Sequence, residues 1–213
     1  MTQTMDKSAT KGEPHLRGGR PDERALLRLM FLSREGDRRE GVLLRQGKGW
    51  FQVSGMGHET LAVLAGALEP GDYLFPYYRD RALMLARGIT NEELALAYLA
   101  KHSSSSAGRQ MPGHYSDRDL NIFSVATPTA SQCLPAAGAA WGFQLAGLNS
   151  VALATVGDAS TRQGEFYEAL AFALQENLPL ILLIEDNRYG ISTPTEHFFP
   201  YKLGALGEKA LVK

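Results

Sequence analysis

The chain has 213 residues, of which 44% are hydrophobic and 21% are charged, and its formal net charge is -1 at pH 7. This balance is typical of a globular protein that is long enough to bury a substantial core. The longest purely apolar stretch, residues 178–184, is far shorter than the ~20 residues of a membrane-spanning helix, so the sequence predicts no transmembrane segment.

The N-terminal residues 1–20 are polar, and we expect them to form a disordered or docking tail ahead of one domain over residues 21–213. They lack the apolar core of a secretory signal, and Asp6 and Glu13 argue against a mitochondrial presequence. A single cysteine also favours a reducing compartment, so we expect a cytoplasmic protein. Basic residues alternate with acidic ones in "SREGDRREG", a pattern that favours a solvated helical face over a nucleic-acid-binding arm.

The first half of the chain is predicted to be helical. Thr90 and Glu93 have the spacing of a capping box, and Gly88 is placed to close the preceding helix. Residues 101–128 show no sustained period, and a loop of this length is usually either functional or disordered. The predicted helices cover residues 21–35, 56–72 (stopped at Pro70 and Gly71), 77–88 and 90–102.

The last third indicates an α/β unit. Residues 130–147 form a predicted helix of small residues, suited to close packing against another element or subunit. The apolar runs 151–156 and 178–184 are typical of strands buried on both faces. Between them, residues 160–177 predict a helix in which Ser160 is the N-cap and Gln163 is at position N3. A strand, a helix and a strand at this spacing predict a right-handed parallel crossover.

Acids and amides follow both predicted strands. Asp158 ends the first apolar run and Asn187 follows the second, and the crossover would bring both to the carboxyl edge of the sheet. A carboxylate and an amide oxygen are ligands suited to magnesium or calcium, and Ser160 and Thr161 would open a helix whose amides could receive an anion. On spacing alone, Asp158 could equally be a helix N-cap and Asn187 a turn residue.

The stretch "GDASTRQGEFYEALAFALQENLPLILLIEDNRYGIST" resembles a thiamine-diphosphate motif. With "YYRDRALMLARG", "GRQMPGHYSDRDLNIFSVATPTASQCLPAAGAA" and "NRYGISTPT", it makes residues 25–200 similar to the alpha subunit of 2-oxo acid dehydrogenase first components, the branched-chain type most closely. The resemblance implies a thiamine-diphosphate-binding fold, a parallel sheet with helices on both faces. It also implies thiamine diphosphate and Mg²⁺ as cofactors.

The resemblance also implies roles for individual residues. Asp158 and Asn187 would bind Mg²⁺ by their side chains and Tyr189 by its main-chain carbonyl. Tyr78 and Arg79 would bind the phosphates, although Tyr78 could be core packing and the "RDR" stretch a solvated face. The main chains of the remaining residues would contact the aminopyrimidine or the diphosphate: Thr127, Thr129, Ala159 and Ser160.

His114, in "RQMPGHYS", is a candidate catalytic residue that would donate a proton or hydrogen bond to the substrate, although a loop histidine can also be exposed and idle. The implied activity is oxidative decarboxylation of a 2-oxo acid, with acyl transfer to a lipoyl group of a partner acyltransferase. The resemblance further implies a beta subunit, in an alpha2-beta2 assembly, that supplies an activating glutamate.

Three features depart from the family pattern. Ala159 replaces the second glycine of the motif, and Glu185 stands where branched-chain relatives tend to place a basic, phosphate-facing residue. An acid at this position would weaken diphosphate binding unless it points away or meets a cation such as Arg188. The end at "GALGEKALVK" leaves out later strands of the family, so we expect an incomplete sheet and the N-terminal part of a longer protein or of an alpha-beta fusion. A pyruvate or acetoin dehydrogenase alpha subunit and a catalytically silent assembly module remain the alternatives.

Overall fold

A computed structural model describes residues 22–197, and the expected tail over residues 1–20 lies outside them. Within the described residues, the chain forms five α-helices, five strands and three 3-10 helices. The α-helices are α1 (Glu23–Arg45), α2 (Arg81–Arg87), α3 (Asn91–Tyr98), α4 (Cys133–Leu145) and α5 (Gly164–Glu176). The strands are β1 (Tyr73–Phe75), β2 (Ala152–Gly157), β3 (Leu180–Glu185), β4 (Tyr189–Gly190) and β5 (Thr193–Pro194), and the 3-10 helices are Glu59–Gly66, Asp158–Arg162 and Thr195–His197.

The central sheet is parallel, in the order β1-β2-β3. Its register pairs Ala152 with Leu180 and Gly157 with Glu185, so β2 and β3 run side by side over their whole length. Strand β2 is buried on both faces, as its apolar run predicts. Strand β3 is less buried than predicted, since Ile181 is 48% exposed. The reason is that β3 is an edge strand of the described sheet.

A separate hydrophobic core packs against each face of the sheet. Ala152, Ala154 and Val156 of β2 face the core that contains α4 and α5. Leu153 faces the opposite core, which is formed by α1, α2, α3 and the 3-10 helix Glu59–Gly66. Alternate residues of one strand therefore serve the two cores, which confirms the predicted α/β class with helices on both faces.

Several predicted helix boundaries change. Helix α1 extends to Arg45, ten residues beyond the predicted end at residue 35, and the buried side of its added part carries Asp37 and Glu40. These acids interrupt the apolar period from which the helix was predicted. The capping box of Thr90 and Glu93 is confirmed, and Gly88 closes α2 with a φ of 116°.

The predicted cap of α5 is wrong. Ser160 lies inside the 3-10 helix Asp158–Arg162, and α5 begins only at Gly164. Gln163 occupies the N-cap position without a capping hydrogen bond from its side chain. The free backbone N–H groups at the start of α5 therefore do not belong to Ser160 and Thr161, which the sequence predicted as the anion site.

Among residues 22–197, no helix is long and apolar enough to cross a membrane.

Candidate active site at the carboxyl edge of the sheet

Strands β2 and β3 deliver polar residues to one edge of the sheet. Gly157 pairs with Glu185, so the chain leaves β2 at Asp158 beside the point where it leaves β3 at Asp186. The predicted meeting of these two chain segments at the carboxyl edge is thereby confirmed.

Asp158 is a buried carboxylate with one oxygen free. The residue is 2% exposed, and its Oδ2 has no hydrogen-bond partner. Burial raises the pKa of Asp158, and the neighbouring Asp186 carboxyl raises it further, while the Ala159 amide and the Thr195 hydroxyl lower it. Asp158 is the first residue of its 3-10 helix rather than the N-cap, so the capping alternative does not account for it. A buried carboxylate oxygen of this kind is stabilised by a proton or by a cation.

The segment after β3 turns back towards Asp158 as a short hairpin of β4 and β5. Asn187 Oδ1 accepts a hydrogen bond from the Tyr189 amide at 2.8 Å, and the Thr195 amide donates to the Arg188 carbonyl at 2.9 Å. Asn187 is therefore a turn residue, as its alternative reading had it. Its Oδ1 keeps a second lone pair for a further contact.

The atoms at this edge that could bind a cation are oxygen atoms. The described part of the chain holds no group of three His, Cys, Asp or Glu side chains that could bind a metal ion. A cation here would depend on one carboxylate together with amide and main-chain oxygens, a set suited to Mg²⁺ with phosphate oxygens and water completing the shell. The free Oδ2 of Asp158 fits such an ion.

A small cleft with a cavity volume of about 10 Å³, which is room for roughly one water molecule, opens beside this edge. Four predicted cofactor-binding residues line it: Tyr78, Thr127, Thr129 and Ser160. The other predicted site residues lie outside its lining: Arg79, His114, Asp158, Ala159, Asn187 and Tyr189. This volume is far below the ~300 Å³ at which small-molecule sites begin, so the cleft by itself does not hold a ligand the size of a cofactor.

Arg79 and Tyr78 lie in the turn between β1 and α2. The Arg79 guanidinium donates from Nη1 to the Ser54 carbonyl at 2.5 Å, and its Cζ lies 5.2 Å from the centre of the Tyr78 ring. The following residues, Asp80 and Arg81, are buried, so the "RDR" stretch is not a solvated face. The structure thus places the positively charged Arg79 side chain beside the cleft, and most of its N–H groups remain available to bind another group.

Asp80 fixes the backbone of this turn. Its Oδ2 accepts from the Tyr77 amide at 3.0 Å and from the hydroxyl of Thr155, which is on β2. Burial, and after it the nearby Glu185 carboxyl, raise the pKa of Asp80 well above its usual range. The turn that carries Tyr78 and Arg79 is thus tied directly to the central strand.

The side chain that Glu185 contacts is His58, and the structure shows no contact between Glu185 and Arg188. The Nδ1 of His58 lies 2.6 Å from Glu185 Oε2, in a contact where both side chains are largely buried. Burial raises the pKa of Glu185 to about 7, opposed by Asp80 and Arg79. Burial and the positive charge of Arg79 lower the pKa of His58. Both shifts favour the neutral forms, so the contact is not a full ion pair, and Glu185 Oε2 has no hydrogen-bond partner.

His114 is buried, although a loop histidine could have been exposed and idle. Its Nδ1 lies 3.1 Å from the carbonyl of Pro112, which can only accept, so this nitrogen carries a proton. Its Nε2 is buried without a partner. The neutral ring can therefore accept a hydrogen bond at Nε2, and it donates from there only when it is protonated. The loop itself reaches the site, because a Cβ on Gly113 would lie 3.0 Å from the Tyr78 carbonyl.

Sequence reasoning missed four polar residues at this edge: His58, Asp80, Asp186 and Thr195. His58 occupies the N-cap position of the 3-10 helix Glu59–Gly66, a position at which a residue is often only structural. Asp186 could have been noticed, because it precedes Asn187 directly. The pairing of His58 with Glu185 leaves no signal in a single sequence, since the two residues are far apart along the chain.

Comparison with known proteins assigns the chain to a protein family. A family model described as "Dehydrogenase E1 component" matches residues 27–199. The alpha subunit of 2-oxoisovalerate dehydrogenase from Bacillus subtilis is 38% identical over 172 residues, covering 79% of this chain and 52% of that protein. The alpha subunit of the pyruvate dehydrogenase E1 component of the same organism is 34% identical, covering 80% of this chain and 44% of that protein. The chain thus spans about half the length of these curated relatives or less.

A solved structure supports the fold. Transketolase from Campylobacter jejuni superposes with a TM-score of 0.61 at 18% identity, covering 87% of this chain and 31% of that one. At this identity the likeness concerns the fold alone.

Proposed function

Because the chain belongs to the dehydrogenase E1 component family, we propose that it is the alpha-type part of a thiamine-diphosphate- and Mg²⁺-dependent 2-oxo acid dehydrogenase. The observation that carries this proposal is Asp158, a buried carboxylate whose free oxygen lies at the carboxyl edge of the sheet, beside the β4–β5 hairpin that follows Asn187. We further propose branched-chain 2-oxo acids as substrates, since the B. subtilis 2-oxoisovalerate dehydrogenase subunit is 38% identical.

In this proposal, the chain binds and orients the cofactor. Asp158, Asn187 and the main-chain carbonyl of Tyr189 would hold Mg²⁺, whose charge would offset that of the diphosphate. Arg79 and Tyr78 bind the phosphates, Arg79 with the N–H groups that Ser54 leaves free. The main chains of the following residues line the pyrimidine and diphosphate: Thr127, Thr129, Ala159 and Ser160.

The bound thiamine diphosphate supplies the electron sink for decarboxylation. His114 acts at the substrate. In the neutral ring, Nε2 accepts a hydrogen bond; in the protonated ring, Nε2 donates one to the 2-oxo oxygen as negative charge develops on it. Glu185 and His58 both lie close enough to Arg79 for its charge to lower the pKa of each, so in this proposal they would border the phosphates. Because both groups tend to the neutral form, an acid at this position is compatible with a bound diphosphate.

The partners follow from the same proposal. A beta-type subunit or domain completes the cofactor site, consistent with a cleft too small to hold the whole cofactor, and a lipoyl acyltransferase receives the acyl group. The alpha2-beta2 assembly is part of this proposal.

A substrate assay tests the activity. The full-length chain with its beta-type partner is supplied with 3-methyl-2-oxobutanoate or with pyruvate, and the reduction of an artificial electron acceptor is followed. We expect kcat/KM to favour the branched substrate by at least ~10-fold, because each added methyl group in a fitted pocket is worth about that factor. A preference for pyruvate would support the pyruvate dehydrogenase alternative, which the 34% identical relative favours. Binding of the cofactor without turnover of either acid would support the silent assembly module.

A further inference from the structure

The guanidinium of Arg79 is held by a loop that does not belong to the cofactor-binding motifs. Its Nη1 donates to the carbonyl of Ser54 at 2.5 Å. The same loop packs on the Arg79 backbone, because a Cβ added to Gly55 would lie 2.7 Å from the Arg79 carbonyl oxygen. The position of Arg79 therefore depends on the position of residues 54–55.

One buried carboxylate on α1 fixes this loop. Asp37 is 2% exposed, and its Oδ2 accepts from the Ser54 hydroxyl at 2.8 Å and from the Gly55 amide at 2.7 Å. Its Oδ1 accepts from Nε2 of Gln52 at 2.8 Å. All three bonds go to one short segment of chain, so Asp37 holds the loop at three points.

We propose that Asp37 is a positioning residue for the diphosphate site. It fixes Ser54, and the Ser54 carbonyl then holds the Arg79 guanidinium facing the phosphates. Without that anchor, the flexible guanidinium is free to turn towards the buried carboxyl of Glu185, which already feels its charge. Asp37 itself does not touch the cofactor. The inference rests on the proposed function, because it names the residue that orients Arg79 at that same site.

The test is a double-mutant cycle on the full-length chain in complex with its beta-type partner. Dissociation constants of thiamine diphosphate in the presence of Mg²⁺ are measured by calorimetry for the wild type, Asp37→Ala, Arg79→Ala and the double variant. Asp37→Asn is the conservative variant, since its Oδ1 can still accept from Ser54 and Gly55. Asp72→Ala is the matched control: Asp72 is also buried and accepts two backbone N–H bonds, from Glu69 and Val151. Because Asp72 precedes β1, it lies at the opposite, amino edge of the sheet.

We expect Asp37→Ala to weaken cofactor binding about tenfold, the loss of one oriented charge-assisted contact. In the Arg79→Ala background the same change should have less than about a twofold effect, because the group that Asp37 positions is gone. Asp37→Asn should recover most of the affinity, and Asp72→Ala should lower the melting temperature while leaving affinity unchanged.

Two results would overturn the inference while the wild type still binds. One is a full tenfold effect of Asp37→Ala in the Arg79→Ala background, and the other is an equal loss of affinity in Asp72→Ala. Failure of the wild type to bind the cofactor at all would instead reject the proposed function, and with it the role of Asp37.

Discussion

The buried carboxyl of Glu185 makes the stability of the protein depend on pH, and Glu185→Gln removes that dependence. Burial raises its pKa to about 7, from 4.5 for an unperturbed glutamate. The folded state therefore binds the proton more tightly than the unfolded chain does. The free energy of unfolding falls as the pH rises from 4.5 to about 7, and the loss is complete above that range.

The size of the effect follows from the shift. A difference of about two and a half pKa units corresponds to about 3 kcal/mol at pH 8. An amide of the same shape cannot ionise, so we expect Glu185→Gln to be more stable than the wild type at pH 8 by up to about 3 kcal/mol. At pH 5 the two proteins should differ little. Asp80 shifts in the same direction, so some slope remains in the variant.

Urea unfolding at several pH values between 5 and 8 measures this difference. Glu168→Gln on the exposed side of α5 is the matched control, and it should keep the slope of the wild type. The conclusion that burial raises the pKa of Glu185 would be wrong if Glu185→Gln kept the wild-type slope or were less stable than the wild type at pH 8.

Two further changes test the local geometry. Gly113→Ala places a Cβ 2.5 Å from Val53 Cγ2 and 3.0 Å from the Tyr78 carbonyl at a φ of +78°, so it should lower the melting temperature and weaken thiamine diphosphate binding together. Thr90→Ala removes the capping box with Glu93 and should cost about 1 kcal/mol in urea unfolding without changing cofactor affinity; an altered affinity would show that α3 contributes to the site.

The parts of the fold that sequence predicted best are those with strong local signals. Strands β2 and β3 are continuous apolar runs that end in acids, and the capping box of Thr90 and Glu93 is a local pattern. Strand β1 was missed because three residues are too few to show a period. The second half of α1 was missed because Asp37 and Glu40 face inwards, where the pattern requires apolar residues.

For the site, the sequence predicted which strand ends meet at the carboxyl edge of the sheet, but not the side-chain contacts that orient the site. Asp158 and Asn187 could be placed together, because parallel strands joined by a helix deliver their ends to one edge. The contacts that orient the site join distant parts of the chain: Asp37 to Ser54, Ser54 to Arg79, and His58 to Glu185. Contacts of this kind depend on tertiary packing, which spacing along a single chain does not encode.

The most direct test of the account is the effect of Mg²⁺ on thiamine diphosphate binding to the wild type and to Asp158→Asn, with the full-length chain and its beta-type partner. We expect the wild type to bind tightly with Mg²⁺ and weakly with a chelator. Asp158→Asn should lose at least ~10-fold in affinity with Mg²⁺ and respond little to the chelator, because the amide supplies no charge to the ion. Binding that is independent of Mg²⁺ in the wild type, or unchanged in Asp158→Asn, would contradict the assignment of this edge as a metal-diphosphate site.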